Sequence, residues 1–423
     1  MKTADRRKKR LINLLTFPIL YRPWRKSIRK QLECVFINHT MKLSDIWGCT
    51  YQSFADKQGA ETILVLDERI PVYDRDTGSR VLWQYLNFFK KQGLNVYYMP
   101  MSPFPKGKYL QSLNDIQVNV VYQDKEMWLK QNGSKVNYVL LCRPDVANKM
   151  LEPLKKYISV PIWYFDHDLH YIRERRDFEQ TGNTQALASS KIYEKIENEV
   201  ISKTDVFLTV SDYEKNIIAQ THPHKPSAIL PIYIWNDFPK VTYKAEKRKD
   251  IMFVGSSHAP NVDAIQWFLS EVFPKFNEIY PEVKFYIVGG IPENIKQTAS
   301  SDVIFTGFIS DEEMNELMSK VRLNVVPLRF GAGVKGKIIE AIYQKLPVLT
   351  TPVGAEGIAD TSMMTVCTLE DFAQSLIELY ANTDRLTAAA QSADEFLQNN
   401  YSEKVMQKVF NKLKEKSEKN SFV

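Results

Sequence analysis

The stretch RFGAGVKGKIIEA, residues 329–341, decides how this chain is read. It follows the apolar run LNVVPL, residues 323–328, which has the length and texture of a buried strand, and it passes into a helix from Gly336 to Gln344. In a strand–loop–helix unit, Gly331, Gly333 and Gly336 permit tight turns and close backbone approach by a ligand. The loop N–H groups and the helix N-terminus attract an anion such as a diphosphate. Lys335 and Lys337 stand at that end, where a cation opposes the helix dipole unless an anion compensates it. The plainer reading is a glycine-rich turn with two solvated lysines. Glu340 lies one turn into the helix, among Ile338, Ile339, Ala341 and Ile342. A carboxylate in that company needs hydrogen-bond donors. Two hydroxyls of a nucleotide ribose would serve, and so would an i,i+3 ion pair with Lys337; spacing leaves both open.

Outward from this stretch, strands and helices alternate. Toward the N-terminus lie DIMFVG (250–255), an amphipathic helix from Asn261 to Tyr280, the strands KFYIVGG and VIFTGF, and a helix from Asp311 to Lys320; PVLTT follows as a strand. An earlier series has the same rhythm. ILVLDERIP begins with a strand, a helix from Gly78 to Gly93 places Val81, Leu82, Tyr85, Leu86 and Phe89 on one face, and the strands NVYYMP, YVLLCRP, VPIWYF and DVFLTV follow. Helices from Pro144 to Tyr157 and from Ala186 to Lys203 separate the later strands, and Ser211 is placed to cap another helix. Such alternation predicts parallel, doubly wound sheets. The expected class is α/β, with two Rossmann-like domains facing each other across a cleft, a basic N-terminal extension and a C-terminal helix. The expected boundaries are 1–60 for the extension, 61–232 and 250–395 for the two domains, 233–249 for the linker and 396–423 for the C-terminal helix. Ligands in such sheets sit outside the carboxyl ends of the strands, so chemistry is expected in the cleft.

RFGAGVKGKIIEA followed by LPVLTTPVGAEGI resembles the donor-binding core of the retaining family 4 glycosyltransferases, of GT-B fold. FVGSSHAPNVDAIQWF, KFYIVGG and VIFTGFISDEEM are similar to that family's preceding elements, in the same order, while DERIPVYDRDTGSR (67–80) and WYFDHDLHYIRERR (163–176) extend the likeness into the N-terminal half. The resemblance implies a nucleotide-sugar donor and a glycan or lipid-linked acceptor, with no cofactor, no metal and no nucleic-acid partner. Glu340 matches the ribose-binding glutamate. The place of the family's other glutamate, eight residues earlier, holds Ala332, so the backbone of Gly331, Ala332, Gly333 and Val334 is expected against the donor sugar. Gly255 and Ser256 follow the first strand of the donor half, where many members carry a basic residue; Lys335, with Lys337, is then expected to meet the diphosphate. Gly307, Phe308 and Ile309 fall where the nucleobase meets backbone. On the acceptor side the implied residues are Gly78, Ser79, Arg80 and Asp168. His167 and His170 both match the family's histidine-bearing loop, and the alignment does not choose between them; the carboxylates and imidazoles of this loop are also metal-ligand types, a reading the family's metal-independent chemistry weighs against. The activity implied is hexosyl transfer with retention in surface polysaccharide synthesis. The alternatives are an epimerase of related fold and an inactive nucleotide-sugar-binding assembly subunit, the second kept open by Ala332.

Length and composition agree with two globular domains. A chain of 423 residues exceeds one ordinary core, and 44% hydrophobic with 25% charged residues is an ordinary globular balance. The formal charge is +6, with its excess concentrated in Arg6–Arg10 and between Arg22 and Lys30, so no body-wide nucleic-acid footprint exists. These basic residues interleave with Leu11, Leu14, Leu15, Phe17, Tyr21 and Trp24, a pattern expected either to hold an anionic membrane face or to remain a basic tail. The apolar run from Leu11 to Leu20 contains Pro18 and is too short to span a bilayer, and no small-residue cleavage site follows it. Cys34, Cys49, Cys142 and Cys367 show no paired spacing. A cytoplasmic protein, peripheral on the inner membrane face, is expected.

Overall fold

The computed structural model describes residues 49–420 apart from Thr298 and Ala359. The basic stretch before residue 30 and the end of the expected C-terminal helix lie outside the described residues.

The first sheet has seven parallel strands in the order β3-β2-β1-β4-β5-β6-β7. They are β1 (Thr62–Arg69), β2 (Asn95–Ser102), β3 (Asn119–Val120), β4 (Tyr138–Cys142), β5 (Ile162–Phe165), β6 (Val206–Thr209) and β7 (Ser227–Ile229). The second sheet has six, in the order β10-β9-β8-β11-β12-β13: β8 (Ile251–Val254), β9 (Phe285–Val288), β10 (Val303–Gly307), β11 (Leu323–Val326), β12 (Val348–Thr350) and β13 (Met364–Val366). All the pairings are parallel, which leaves both faces of each sheet to be covered by helices. That is why Ile63, Leu64, Val65 and Leu66 of β1 are a continuous apolar run with no exposed face. In each sheet the order reverses beside the first strand, between β1 and β4 and again between β8 and β11. At such switch points the loops after adjacent strands diverge and open a crevice. The two-sheet α/β expectation therefore holds.

Three local departures have physical causes. The helix expected over residues 261–280 is three segments: Ala259–Trp267, a wider turn over Phe268–Val272, and Phe273–Ile279. Pro274 lacks an N–H and its ring displaces the carbonyl one turn earlier, so the ladder widens just before it. At the C-terminus, helix Thr383–Tyr401 stops and helix Glu403–Asn420 begins, where a single helix was expected from residue 396. Ser402 between them is extended and pairs with Trp235 of the linker, whose N–H bonds the Tyr401 carbonyl. The last helix then packs on the first sheet's domain: Phe410 lies among the rings of Phe88, Phe89, Tyr138 and Trp163. The short strands β3, β7 and β13 were not anticipated.

Candidate active site

The two switch points face each other, and each contributes a loop. After β1 the chain turns through Asp76, whose carboxylate caps helix Thr77–Lys91 by accepting from Ser79 N–H (2.7 Å) and Ser79 hydroxyl (2.9 Å). Ser79 is thus bound to the cap. Gly78 sits tightly against its neighbours: a Cβ there would stand 3.0 Å from Arg143 Nη2, which would have to shift by a few tenths of an ångström, and 3.7 Å from His167 Nδ1. Arg143 ends β4 at φ 67°, ψ 144°, a region nearly reserved for glycine. It is held there by an ion pair to the buried Asp67 (2.6 Å) at the end of β1. Strain at a strand's carboxyl end beside the cleft makes this arginine a candidate site residue, and no sequence pattern singled it out.

The loop after β5 carries the two histidines, and they part company. His167 is half-buried against Phe165, and its Nε2, withdrawn from solvent, has no hydrogen-bond partner. Burial, then the neighbouring Arg143 charge, holds its pKa well below the ordinary imidazole range. His170 instead points into the N-terminal half, where its Nδ1 lies 3.6 Å from Asp166 and 3.5 Å from Glu197. Its pKa is raised by Asp168 and Asp166 against the opposing effect of burial. Asp168 pairs with Arg173 at 2.6 Å, and its carboxyl lies well below the usual range despite burial.

Across the cleft, the glycine-rich loop lies directly on this one. A Cβ on Gly333, at φ 69°, would be 3.0 Å from Asp168 Cβ and 3.1 Å from the His167 carbonyl oxygen. A Cβ on Gly336 would strike Thr77 and the Tyr233 hydroxyl, the nearest atom at 2.6 Å. These glycines are required for the close approach of the two halves, in addition to any ligand. Gly331, at φ 146°, accepts from Arg176 through its carbonyl (2.6 Å), and Arg176 also grips Glu356 with both Nη atoms (2.9 and 2.8 Å). Val334 lies against the Gly357 turn.

Neither lysine is a solvated surface cation. Lys335 is buried, and its ammonium donates to the carbonyls of Ala332 (3.1 Å) and Gly333, curling the loop around itself. Burial brings its pKa down to about 8. Lys337 donates to Asn261 and lies over the Phe253 ring at 4.3 Å; burial, then the Lys335 charge, pulls it down to about 7. A buried and a half-buried lysine two positions apart, both with depressed pKa values, are a place where an anion would be welcome. Glu340 does not form the ion pair with Lys337 that its spacing allowed. Its Oε1 accepts from Arg80 (3.0 Å) and from the Tyr233 hydroxyl (2.6 Å), both reaching from the first half and the linker. Arg80, expected on the acceptor side, is therefore bound to the donor half.

The remaining expected residues sit at the ends of β8 and β10. Gly255 has no room for a Cβ, which would meet the Phe253 ring at 2.5 Å. Ser256 accepts from Asn261, at 3.4 Å. His258 starts helix Ala259–Trp267 and is shifted down by burial and by Arg173 across the cleft. Phe308 lies under the Arg75 guanidinium, 5.1 Å away, and Ile309 is half-buried beside it. Arg75, Tyr233, Asn261 and Arg176 complete the cleft and were not expected.

Comparison with known proteins bears on the fold and the family likeness. Residues 248–382 match the family described as glycosyl transferases group 1. An uncharacterised 44.6 kDa protein in the cps region of Klebsiella pneumoniae is 29% identical over 177 residues, which is 38% of this chain and 45% of that protein. The chain thus aligns with less than half the length of this curated relative. WaaG, a glycosyltransferase involved in lipopolysaccharide biosynthesis, superposes with a TM-score of 0.57 at 16% identity, covering 82% of this chain and 98% of WaaG. Anabaena HepE, in complex with UDP and glucose, gives 0.61 at 12% identity, covering 84% and 99%. A glycosyltransferase from Rickettsia africae gives 0.61 at 14% identity, covering 86% and 100%. At these identities the likeness establishes the GT-B fold.

Proposed function

We propose that this chain, whose residues 248–382 form a group 1 glycosyltransferase domain, transfers a hexose from a nucleotide-diphosphate sugar to a hydroxyl of a glycan or lipid-linked glycan, with retention, in surface polysaccharide synthesis. The observation that carries this reading is the meeting of two loops: the glycine-rich loop with its buried Lys335 lies within van der Waals reach of the loop bearing His167 and Asp168. A donor bound along the first loop has its sugar beside the second. The cps-region relative and the sugar-transferring neighbours support the setting.

In this account Lys335 and Lys337 neutralise the diphosphate, and the N-terminus of helix Gly336–Tyr343 adds its dipole. Glu340 holds the ribose with the oxygen that Arg80 and Tyr233 leave to it. The backbone from Gly331 to Val334 takes the place of the carboxylate that Ala332 lacks, and the partnerless Nε2 of His167 meets a sugar hydroxyl. Phe308 and Ile309 offer backbone to the base. The anomeric carbon–phosphate oxygen bond breaks while the acceptor oxygen–carbon bond forms on the same face, and the departing phosphate oxygen takes the acceptor's proton. Fixed positive charge in a closed, dry cleft stabilises the leaving group with little reorganisation. We assign residues 61–232 to the acceptor, including Gly78, and residues 250–395 to the donor.

The test is donor consumption, starting with UDP-glucose and continuing through other nucleotide sugars, with and without a glycan acceptor. Transfer predicts a glycosylated product only with acceptor present. Isomerised or free sugar without acceptor identifies an epimerase, and binding without turnover in any pairing identifies an assembly subunit.

A further inference from the structure

The far side of the histidine loop carries a second constellation. Asp166 ends β5, His170 opens helix His170–Thr181, and Glu197 comes from helix Thr184–Lys203. All three are withdrawn from solvent; the Asp166 and Glu197 side chains are each 1% exposed. One ligand atom from each lies within 4.8 Å of the others. The His170 Nδ1 atom is 3.6 Å from Asp166 Oδ1 and 3.5 Å from Glu197 Oε1. Those separations are too long for hydrogen bonds. They match the edges of a tetrahedron with bonds of about 2.0–2.2 Å, whose corners stand about 3.3–3.6 Å apart. Asp166 Oδ1 has no hydrogen-bond partner, although it is fully buried and aimed at the imidazole. The Asp168 carbonyl oxygen lies 2.9 Å from His170 Nδ1, at hydrogen-bond distance, so an ion bound at Nδ1 takes the place of that bond.

The outer contacts are those of a held ligand set. Tyr164 donates to Asp166 Oδ2 (2.9 Å), while the backbone N–H groups of His170 (2.7 Å) and Tyr171 (3.1 Å) donate to the two oxygens of Glu197. Such partners orient ligating carboxylates. Two deprotonated carboxylates and a neutral imidazole total −2, which a divalent cation balances; without one, protons do that work, because burial and the Asp166 charge push Glu197 up to about 10 and Asp168 and Asp166 favour the charged form of His170, so the ion binds in exchange for protons. The mixed nitrogen and oxygen set favours the zinc class over magnesium or calcium, which take oxygen alone.

We infer that Asp166, His170 and Glu197 bind a structural divalent transition-metal ion, zinc being the fitting one, that pins the loop presenting His167 and Asp168 to the cleft. The ion touches no substrate. It acts by positioning, so the transfer step itself still proceeds without a metal at the donor.

Zinc binding is read without turnover and so stands apart from the proposed activity. Full-length protein, stripped with chelator and dialysed, is titrated with zinc in competition with a chromogenic chelator, and its melting temperature is followed. One zinc per chain and a raised melting temperature are expected, with affinity falling by about 100-fold or more in Glu197→Gln and His170→Gln. Cobalt substitution of the wild type gives a reading that needs no variant. Tetrahedral d–d bands without a thiolate charge-transfer band are expected. Absence of stoichiometric zinc in the wild type, a thiolate band, or unchanged affinity in folded variants would overturn the assignment.

Discussion

Lys337 is where burial and charge are most at odds. Its pKa of about 7 lies far below that of a free lysine because the ammonium has lost water and faces Lys335. In the folded, ligand-free chain it therefore gives up its proton as pH rises through about 7, whereas the unfolded chain keeps that proton to much higher pH. Between those limits the unfolded state binds more protons, so this group makes stability rise with pH. Binding of a diphosphate has the opposite sign. The anion favours the charged form, so above pH 7 donor binding takes up a proton and weakens by as much as about tenfold per pH unit. Calorimetry of the donor in buffers of different ionisation enthalpy should show this uptake at pH 8, and Lys337→Met should reduce it to the share taken by Lys335, whose pKa of about 8 leaves it partly deprotonated there as well. Lys335 has a second duty, since its ammonium also curls the loop around the carbonyls of Ala332 and Gly333. Because the leaving charge grows only as the bond breaks, Lys335→Ala should lower kcat more than it raises KM. An equal effect confined to KM would make Lys335 a ground-state contact.

Elements meet across the cleft through glycine. Gly336 starts its helix against Thr77 and Tyr233, and the space left for a side chain is too small by most of an ångström. Gly336→Ala should push the two halves apart, cutting kcat/KM by about 100-fold, the cost of misplacing reacting groups by an ångström, while far-UV circular dichroism stays native. A variant with near-wild-type activity would show that the halves are not in register at this point. Periodicity revealed the long elements because their apolar spacing records one buried face: helix Asp311–Lys320 and helix Pro144–Tyr157 have the expected bounds. Edge strands β3, β7 and β13 have only two or three paired residues, too few for alternation to register. The site was legible where backbone chemistry leaves a mark, as at Gly331, Gly333 and Gly336. It was hidden where a role depends on a distant partner. Glu340 meets a residue 260 positions away, Arg143 pairs with one 76 away, and His170 and Glu197 lie 27 apart. The choice between His167 and His170 likewise rests on which way each ring turns.

At the scale of the whole molecule, Arg80–Glu340, Arg176–Glu356 and the C-terminal helix tie the halves together. The first two are polar and lie at the cleft, so ligand entry can exchange them. The third is a core contact. Phe410 is 2% exposed among four aromatic rings of the first domain, although it follows the second in sequence. Phe410→Ala should cost about 3–5 kcal/mol in equilibrium denaturation; a loss below about 1 kcal/mol would mean the helix only rests on the surface. No described helix is long and apolar enough to cross a membrane. Attachment through residues 1–30, by about 1 kcal/mol per basic residue near an anionic surface, predicts that full-length protein floats with anionic liposomes and a chain lacking those residues does not. Equal flotation of both would place the membrane contact elsewhere.

We propose that the loop and helix of residues 329–341 hold one nucleotide-sugar donor, with Glu340 on its ribose. The most direct measurement is calorimetric titration of that donor into wild-type protein and into Glu340→Gln. Hydrogen bonds to a charged group contribute about 1.5–3 kcal/mol, so the account predicts a Kd raised at least about tenfold in the variant, with the melting curve still cooperative. Wild-type affinity in Glu340→Gln would contradict it and leave Glu340 as no more than the partner of Arg80 and Tyr233.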